Sequence, residues 1–379
     1  MTTPYWLIET PRRYPTLAGD VACDVVVIGG GISGTGAALF LAERGVDVAL
    51  LEKASIAWGA SGRNGGFVLA GTVDDFASAE QNYGPQKARE VWELTVRNLD
   101  LAEELAGRLA AKGVDCGYRR CGSLRLADSE EELTSIRISA ERLAAIGQRV
   151  DLLDHAALPE VLHPYYLGGA FNPLDGEYDP AAFVKGLVGL AGEAGARIFE
   201  DSEVLSLDEA DDFVVAKAAG GSVRAKKAIV CLNAYTTNLL PDLVEAMRPI
   251  RAQALSTSPL RERLFDVPCY GHYGYHWWRQ LATGEIVAGG WRHLAYESEE
   301  CADEDPCEPV QGYIESFVKH VAPQASIEQR WAGLMCFTPG GLPYVGLAPG
   351  RERTWVVGGY NGHGNGLALA SVQQVIEAF

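Results

Sequence analysis

The chain has 379 residues and a formal net charge of −18, with 50 acidic side chains against 32 basic ones. This excess of negative charge argues against a nucleic-acid partner, because the phosphate backbone binds basic surfaces. An apolar content of 47%, without a run of 18 apolar residues, suits a mixed α/β protein of two lobes and predicts no membrane span.

The amino-terminal residues and the cysteines predict the compartment. Residues 1–5 lack the charged and apolar regions of a secretory signal peptide. The eight cysteines are scattered without the spacing of a disulfide framework, which in a chain of this size indicates reduced thiols. We therefore expect a cytoplasmic protein.

The most informative motif lies between Asp24 and Glu52. An apolar strand runs into a Gly-Gly-Gly-Ile-Ser-Gly turn at 29–34, a helix follows, and a second strand at 48–51 ends on Glu52. This order is the fingerprint of a dinucleotide-binding βαβ unit, with the acid placed to accept hydrogen bonds from an adenosine ribose. The pyrophosphate is expected at the turn and the helix N-terminus, on Gly29, Gly31, Ile32, Ser33 and Gly34.

Two further glycine-rich segments favour FAD over NAD. Residues 59–66 form a small polar loop that can approach a large flat cofactor, although a mobile surface loop is the alternative interpretation. A strand at 355–357 runs into a second glycine-rich turn at 358–366 and then a helix, about 300 residues after the first turn. Two such junctions suit one long ligand that is held at both ends.

The remaining elements are interleaved along the chain. Periodicity predicts a long amphipathic helix over 86–112, and capping residues predict helices opening at Ser129 and at Asp179 with Pro180. Residues 248–329 are β-rich and aromatic, and the acidic stretch 297–308 is predicted to be a surface loop. Short strands are predicted at 123–126, 197–199, 203–205, 213–215 and 228–230.

The densest aromatic patch is residues 270–279. On a single strand, alternate side chains share a face, so one face would carry Tyr273, Tyr275 and Trp277. The opposite face would carry His272, His276 and Trp278. The first face could roof a flavin and pack an amine, or the aromatics could simply fill the sheet's core. No acid or third ligand stands at a helpful spacing, so we predict no metal site.

Several segments resemble the D-amino-acid oxidase-like FAD-dependent oxidoreductases, the superfamily of sarcosine oxidase and glycine oxidase. Within it, the likeness is greatest to the gamma-glutamylputrescine oxidase-like branch. The segments that carry the resemblance are the fingerprint at 24–52, Tyr-Trp-Leu at 5–7, residues 58–66, Cys-Leu-Asn-Ala-Tyr at 231–235, Arg-Pro-Ile-Arg-Ala-Gln at 248–253 and Gly-His-Gly at 362–364.

The resemblance implies an α/β fold in which a Rossmann-type FAD-binding domain is interleaved with a β-rich, α+β substrate-binding domain. The FAD-binding domain would comprise residues 1–85, 150–247 and 330–379, and the substrate-binding domain 86–149 and 248–329. Val204 is expected at the adenine and Asn233 with Ala234 at the phosphates. The remaining cofactor-binding predictions are Lys53, Trp58, Ser61, Gly62, Arg63, Asn64, Gly65, Gly66, Trp331, Gly362, His363, Gly364, Asn365 and Gly366.

Departures from the better-known relatives bear on the substrate. Glycine oxidase-like enzymes grip the substrate carboxylate with an arginine after a Trp-Ala-Gly-Leu run, where this chain has Met335. Sarcosine oxidase-like enzymes use a lysine at the position of Gly366, and hold an oxygen-activating lysine on a strand where we find Ala288. A buried carboxylate without a cationic partner is costly. The pocket therefore does not look built for a small α-amino acid, unless Arg279 or Arg292 points inward.

The implied chemistry is oxidation of an amine, with hydride passing to flavin N5, hydrolysis of the imine and reduction of oxygen to hydrogen peroxide. Flavin attachment is predicted to be non-covalent, because Met335 takes the position of the linking cysteine and Cys336 comes one residue later. The substrate-pocket candidates are Tyr273, Tyr275, Trp277, Met335 and His363. The alternatives are a dehydrogenase that passes electrons to a quinone or carrier, and a flavin-binding protein without turnover.

Overall fold

The computed structural model describes residues 2–8 and 14–379, which form two eight-stranded sheets, one two-stranded sheet and the helices around them. The strands are β1 Val21–Ile28, β2 Val48–Leu51, β3 Phe67–Val68, β4 Ser123–Ala127, β5 Asp151–Asp154, β6 Gly168–Asn172, β7 Gly176–Glu177, β8 Arg197–Phe199, β9 Val204–Glu209, β10 Val214–Ala218, β11 Gly221–Val230, β12 Arg248–Thr257, β13 Cys269–Gly271, β14 His276–Gln280, β15 Ile286–Gly290, β16 Ile327–Phe337, β17 Tyr344–Leu347 and β18 Thr354–Gly358. The α-helices are α1 Ile32–Ala42, α2 Phe76–Tyr83, α3 Pro85–Ala110, α4 Glu130–Ala145, α5 Pro180–Glu193, α6 Thr236–Leu239, α7 Tyr296–Glu299, α8 Val310–Val321 and α9 Gly364–Glu377.

The first sheet has the order β17-β18-β11-β1-β2-β8, and the four pairings from β18 to β8 are parallel. Alternate residues of β1 enter two different cores, as the pleat of a strand requires. Val25 and Val27 pack with the helices, whereas Val26 and Ile28 pack with the strands β9–β11 on the other face. Burial on both faces explains why residues 25–28 of β1 and all four residues of β2 are apolar.

Helix α1 is buried along its whole length, because it is covered by the sheet and by α5 and α9. Helix α3 packs on α9 and α2, with an apolar stripe that includes Leu99, Leu105 and Leu109. The predicted helix over 86–112 is therefore confirmed as α3. The caps are confirmed as well, since Ser129 accepts a hydrogen bond from the N–H of Glu132, and Asp179 accepts one from the N–H of Ala182.

The second sheet has the order β16-β12-β15-β14-β13-β4-β6-β5, and helix α8 packs on β12 and β15. Strand β12 pairs along its full length with β16, from Arg248 opposite Phe337 to Thr257 opposite Ile327. Because β16 also leads the chain towards β17 and β18, this pairing joins the second sheet to the first. The mixed α/β fold predicted from the sequence is confirmed.

The structure differs from the sequence prediction in three places. Strands β5, β6 and β16 pair in the second sheet, although the predicted boundaries placed residues 150–247 and 330 onward in the cofactor domain. The division into two domains stays a proposal, in which these three strands now belong to the substrate-binding domain. The patch 270–279 is a hairpin, with a turn at 272–275 between β13 and β14, and not one strand. The acidic stretch 297–308 is not only surface, because Glu299 is fully buried in an ion pair of 2.8 Å with Arg251.

Across residues 2–8 and 14–379, no helix has the length and apolar character needed to cross a membrane. All eight cysteines in this part of the chain are free thiols.

Candidate cofactor and substrate site

The turn between β1 and α1 leaves no room for side chains at its glycines. Gly29 has φ +110°, and a Cβ there would lie 2.7 Å from the carbonyl oxygen of Cys231. A Cβ on Gly34 would lie 1.8 Å from the oxygen of Gly29. The turn can therefore close only with glycine at these positions, and it presents the N-terminus of α1 as the fingerprint predicts.

Glu52 stands at the end of β2 and is held towards this turn. One carboxylate oxygen accepts a hydrogen bond of 2.7 Å from the N–H of Gly30, and the other accepts one of 2.8 Å from the N–H of Ala54. Burial raises the pKa of Glu52, and the two N–H donors act against that rise. The carboxylate thus has a fixed orientation beside the glycine turn, as a ribose ligand requires.

The loop 59–66 is anchored to the glycine turn. Ser61 Oγ accepts a hydrogen bond of 2.9 Å from the N–H of Ile32, the first residue of α1. A Cβ on Gly31 would approach the same Oγ to 2.9 Å. Arg63 is 5% exposed and donates to the carbonyl oxygens of Thr2, Trp58 and Ala332. These contacts disfavour the alternative of a mobile surface loop.

Arg63 also offers an unused donor. Its Nη2 is buried and has no hydrogen-bond partner among the described residues, and burial lowers the pKa of its guanidinium. Trp331 lies beneath it, fully buried, and donates from Nε1 to the carbonyl oxygen of Arg63 at 2.9 Å. The predicted cofactor residue Trp331 therefore supports the loop from behind. The free guanidinium nitrogen and the glycine turn together fit a large anionic, hydrogen-bonding cofactor.

Two glycine-rich segments that are distant in the chain are in direct contact. Asn365 Nδ2 donates to Asn64 Oδ1 at 2.9 Å and to the carbonyl oxygen of Phe67 at 3.0 Å. Asn64 Oδ1 also accepts from the N–H of Gly66 at 2.7 Å. The loop 59–66 and the turn 358–366 are thus tied to each other across about 300 residues of chain.

The segment 231–235 closes the same region from another side. Asn233 has φ +48°, and its Oδ1 accepts a hydrogen bond of 3.0 Å from the N–H of Gly359. Ala234 is buried, and Lys53 Nζ lies 3.9 Å from the centre of the Tyr235 ring. Val204 is half-buried at the start of β9. Contacts of these residues with adenine or phosphates stay predictions.

A cavity of about 240 Å³ lies between the glycine-rich segments and the second sheet. The residues from the glycine-rich segments that line it are Arg63, Asn64, Gly65, Gly362, His363, Asn365 and Gly366. Other lining residues are Asp74, Asp75, Trp92, Arg125, Tyr270, Tyr273, Trp277 and Met335. Residues from five separate parts of the chain therefore enclose one space.

Four of the five substrate-pocket candidates line this cavity, namely Tyr273, Trp277, Met335 and His363. Tyr275 does not, so its prediction as a pocket residue is wrong. Because the patch turns at 272–275, the strand alternation fails there. The Tyr275 ring instead packs 5.1 Å from that of His293 and lies under the guanidinium of Arg292.

The structure shows where the two residues lie that replace the carboxylate-anchoring arginine and lysine of relatives. Met335 lines the cavity where an anchoring arginine would stand. A Cβ on Gly366 would lie 2.2 Å from the carbonyl oxygen of Leu69, so packing excludes a lysine there. Neither Arg279, which contacts Glu177 at 3.4 Å, nor Arg292 is among the residues lining the cavity. The alternative in which Arg279 or Arg292 binds the carboxylate of an α-amino-acid substrate is therefore not supported.

Ala288 requires a correction. Its side chain is buried in the core of the second lobe beside Trp278 and Leu255, away from the cavity. The prediction that residue 288 faces the flavin is therefore wrong. The conclusion about lysine is unchanged, because no residue from 286 to 291 is a lysine.

Arg125 is a cavity residue that sequence reasoning missed. Its guanidinium lies 3.7 Å from the carboxylate of Asp75, and its Nε is buried without a partner among the described residues. Asp75 is already satisfied by the N–H of Ser78 and by the hydroxyls of Ser135 and Ser139. Arg125 thus keeps donors for a ligand. An isolated arginine on a short strand carries no signal of this role.

His363 presents an unpartnered ring nitrogen. Its Nδ1 is buried and has no hydrogen-bond partner in the part of the chain that the structure describes. Burial lowers the pKa of His363 to about 4. The imidazole is therefore neutral at physiological pH.

Comparison with known proteins decides the family. A family model described as DAO, FAD dependent oxidoreductase, matches residues 24–377. The chain belongs to this family. The protein is thus an FAD-dependent oxidoreductase, and the resemblance seen in its motifs is confirmed.

Individual relatives span nearly the same length. Gamma-glutamylputrescine oxidoreductase of Escherichia coli K12 is 29% identical over 96% of this chain and 85% of its own length. Glycine oxidase of Bacillus licheniformis is 26% identical over 92% of this chain and 89% of its own. The crystal structure of glycine oxidase from Geobacillus kaustophilus superposes with a TM-score of 0.81, at 21% identity and 94% coverage of both chains. That structural likeness supports the fold.

Proposed function

We propose that this flavoenzyme oxidises an amine at a carbon without a neighbouring carboxylate, in a substrate that carries its carboxylate at the far end. A diamine that is acylated at one end by the side-chain carboxyl group of an amino acid is a substrate of this class. The observation that carries the proposal is the placement of cationic donors. Arg125 on β4 lines the same cavity as Met335 on β16, with four strands of the second sheet between them. Met335 and Gly366 hold the positions where relatives anchor an adjacent carboxylate.

The local chemistry supports this choice. A carboxylate beside Met335 and Gly366 would be desolvated without a charged partner, which is costly. A carboxylate beside Arg125 would meet an arginine whose Nε has no partner among the described residues. Charge-assisted and bidentate arginine–carboxylate contacts are among the stronger polar interactions. Gamma-glutamylputrescine, the compound for which the Escherichia coli relative is named, has this distal arrangement of amine and carboxylate.

The residues of the chain position the amine and exclude water. Trp277 and Tyr273 provide apolar surface for an alkyl chain, and neutral His363 adds no positive charge that would repel or protonate the amine. Bound FAD supplies the acceptor for the hydride lost from the amine carbon. The resulting imine adds water and releases an aldehyde together with ammonia or a smaller amine.

The final electron acceptor is proposed to be oxygen, which would leave as hydrogen peroxide. One observation favours the alternative of a dehydrogenase that uses a quinone or carrier: strand β15 has no lysine to promote the reaction with oxygen. Peroxide formed in step with substrate oxidation distinguishes the oxidase from the dehydrogenase. The cytoplasmic location also stays a prediction.

The test compares two substrates in the Arg125→Gln variant. We expect the KM for gamma-glutamylputrescine to rise about 10- to 100-fold, which corresponds to the roughly 1.5–3 kcal/mol of a charged hydrogen bond. The KM for unacylated putrescine should change less than about threefold, because it has no carboxylate to lose.

The matched control is Arg142→Gln, since this arginine also lies 3.7 Å from an acid, Glu80, but on the surface. The control should leave both substrates unaffected. An equal loss for both substrates in Arg125→Gln would show that Arg125 supports the fold and is not a carboxylate anchor.

A further inference from the structure

Three histidines converge behind the wall of the substrate cavity. His272 lies in the turn between β13 and β14, His276 opens β14, and His293 lies in the 3₁₀ turn Arg292–Ala295. One ring nitrogen from each lies within 4.8 Å of the other two. The sequence prediction that no third ligand stands at a helpful distance is therefore wrong, because folding brings His293 to the other two.

Each imidazole has a nitrogen free to bind a metal. His276 Nε2 and His293 Nδ1 are buried and have no hydrogen-bond partner among residues 2–8 and 14–379. His272 binds Asp128 through Nδ1 at 2.5 Å, which leaves its Nε2. A carboxylate behind a ligating histidine is a common arrangement at metal sites, since it fixes the ring and raises the basicity of the ligand.

The surroundings suit a cation that binds neutral imidazoles. All three imidazoles are half-buried, so bulk water competes only in part for their free nitrogens. The acids Asp128 and Glu132 lie on one side, with Glu132 accepting from the N–H of Tyr273. They offset the nearby guanidinium of Arg292.

The backbone is strained on both sides of the cluster. His272, Tyr273 and Trp291 have φ values of +49°, +53° and +57°, in the left-handed region that residues with side chains rarely adopt. Such conformations persist only where the surrounding structure enforces them, and they cluster at ligand sites.

We propose that His272, His276 and His293 form a site for a divalent transition metal, with Zn²⁺ as the ion that three imidazoles suit best. Tetrahedral coordination at about 2.0–2.1 Å requires nitrogens roughly 3.3 Å apart, so the rings must close slightly on the ion. A separate cavity of about 220 Å³, which Asp128 and His276 line, lies beside the cluster. Three protein ligands with an open position are compatible with a bound water molecule.

The site would have a consequence for the substrate cavity. Tyr273 lies between His272 and His276 in the chain and lines that cavity. A metal that joins the turn 272–275 to His293 would hold this wall in place. The metal-site proposal is independent of the proposed amine oxidation, because none of the three ligands lines the substrate cavity.

The test is calorimetric titration of ZnCl₂ into flavin-loaded protein that has first been treated with a chelator. We expect one ion per chain with micromolar or tighter affinity. His276→Ala and His293→Ala should each weaken binding at least 100-fold. The matched control is His163→Ala, because His155 and His163 form another close pair of rings, 4.2 Å apart, without a third histidine.

Flavin content and circular dichroism establish that each variant is folded. If His276→Ala does not fold, the half-buried His293 decides the question alone. Absence of Zn²⁺ binding to the wild-type protein, or binding that survives both substitutions, would overturn the proposal.

Discussion

At the scale of single residues, the space around Gly31 decides whether the cofactor can bind. Its position at the start of α1 leaves only 2.9 Å between an added Cβ and Ser61 Oγ, at the place where the pyrophosphate must approach. Gly31→Val should therefore yield protein with less than about a tenth of the wild-type flavin, because the new side chain and the pyrophosphate compete for one space. The ratio of absorbance at the flavin band to that of the protein measures the occupancy.

The control for this substitution is Gly346→Val. Gly346 lies in β17, has no atom within 4 Å of an added Cβ, and has no positive φ. Valine is favourable in a strand, so this variant should keep its flavin. Full occupancy in Gly31→Val would refute the placement of the pyrophosphate.

His363 gives the stability a pH dependence with a defined sign. Burial lowers its folded-state pKa to about 4, below the ordinary value of 6.5. Between these values the unfolded chain binds a proton that the folded chain does not, so this group's contribution to stability falls as the pH falls from 6.5 towards 4. The melting temperature of the wild type relative to His363→Asn should thus decrease between pH 8 and pH 5. A difference that stays constant or increases on acidification would contradict the neutral, buried histidine.

Residue identity alone predicted the glycine positions but not Arg125. A glycine in a strand–turn–helix unit expresses a local steric need, which the sequence displays directly. Arg125 acts through its place in the fold, since β4 and the segment around Asp75 meet only after the chain has folded. Nothing in the neighbouring sequence indicates that its Nε lacks a partner.

At the scale of elements, the alternation of β16 separates Met335 from Cys336. Met335 lines the cavity, whereas Cys336 is 1% exposed in the core on the other face of the strand, where burial raises its thiol pKa to about 12. A protonated thiol that faces away from the cavity is a poor nucleophile for flavin attachment. The prediction of non-covalent FAD follows from this geometry.

Precipitation with acid should therefore release more than about nine-tenths of the flavin into the supernatant. The Cys336→Ala variant should release the same fraction as the wild type, which is the internal comparison. Yellow colour that stays with the wild-type pellet and disappears from the Cys336→Ala pellet would show that the thiol reaches the flavin.

The element predictions succeeded where the signal was local. Periodicity and caps located α3, α4 and α5, because an amphipathic stripe and an N-cap side chain act within a few residues. The prediction of one strand over 270–279 failed, because the aromatic composition favours a strand. The turn is made by His272, Tyr273 and Gly274, all with positive φ, and two of these residues are not glycine. That turn removed Tyr275 from the cavity and brought His272 and His276 towards His293.

At the scale of the whole molecule, the interleaving of the two lobes creates the site. The pairing of β12 with β16 and the tie between Asn64 and Asn365 bring five parts of the chain around one cavity. The sequence predicted this architecture mainly through its resemblance to a family. The domain boundaries were less accurate. Strand β6 joins the second sheet by pairing with β4, and β5 joins it by pairing with β6. The local sequence of these strands does not indicate such pairings.

The most direct test of the proposed function is anaerobic mixing of the purified protein with a panel of amines while the flavin absorbance is recorded. The panel contains gamma-glutamylputrescine, putrescine, glycine, sarcosine and D-alanine. We predict that the acylated diamine bleaches the flavin at least about 100-fold faster, at equal sub-saturating concentration, than any amine with an adjacent carboxylate, because two cationic anchors are missing beside the reacting carbon. Faster reduction by glycine, sarcosine or D-alanine than by the acylated diamine would contradict the account.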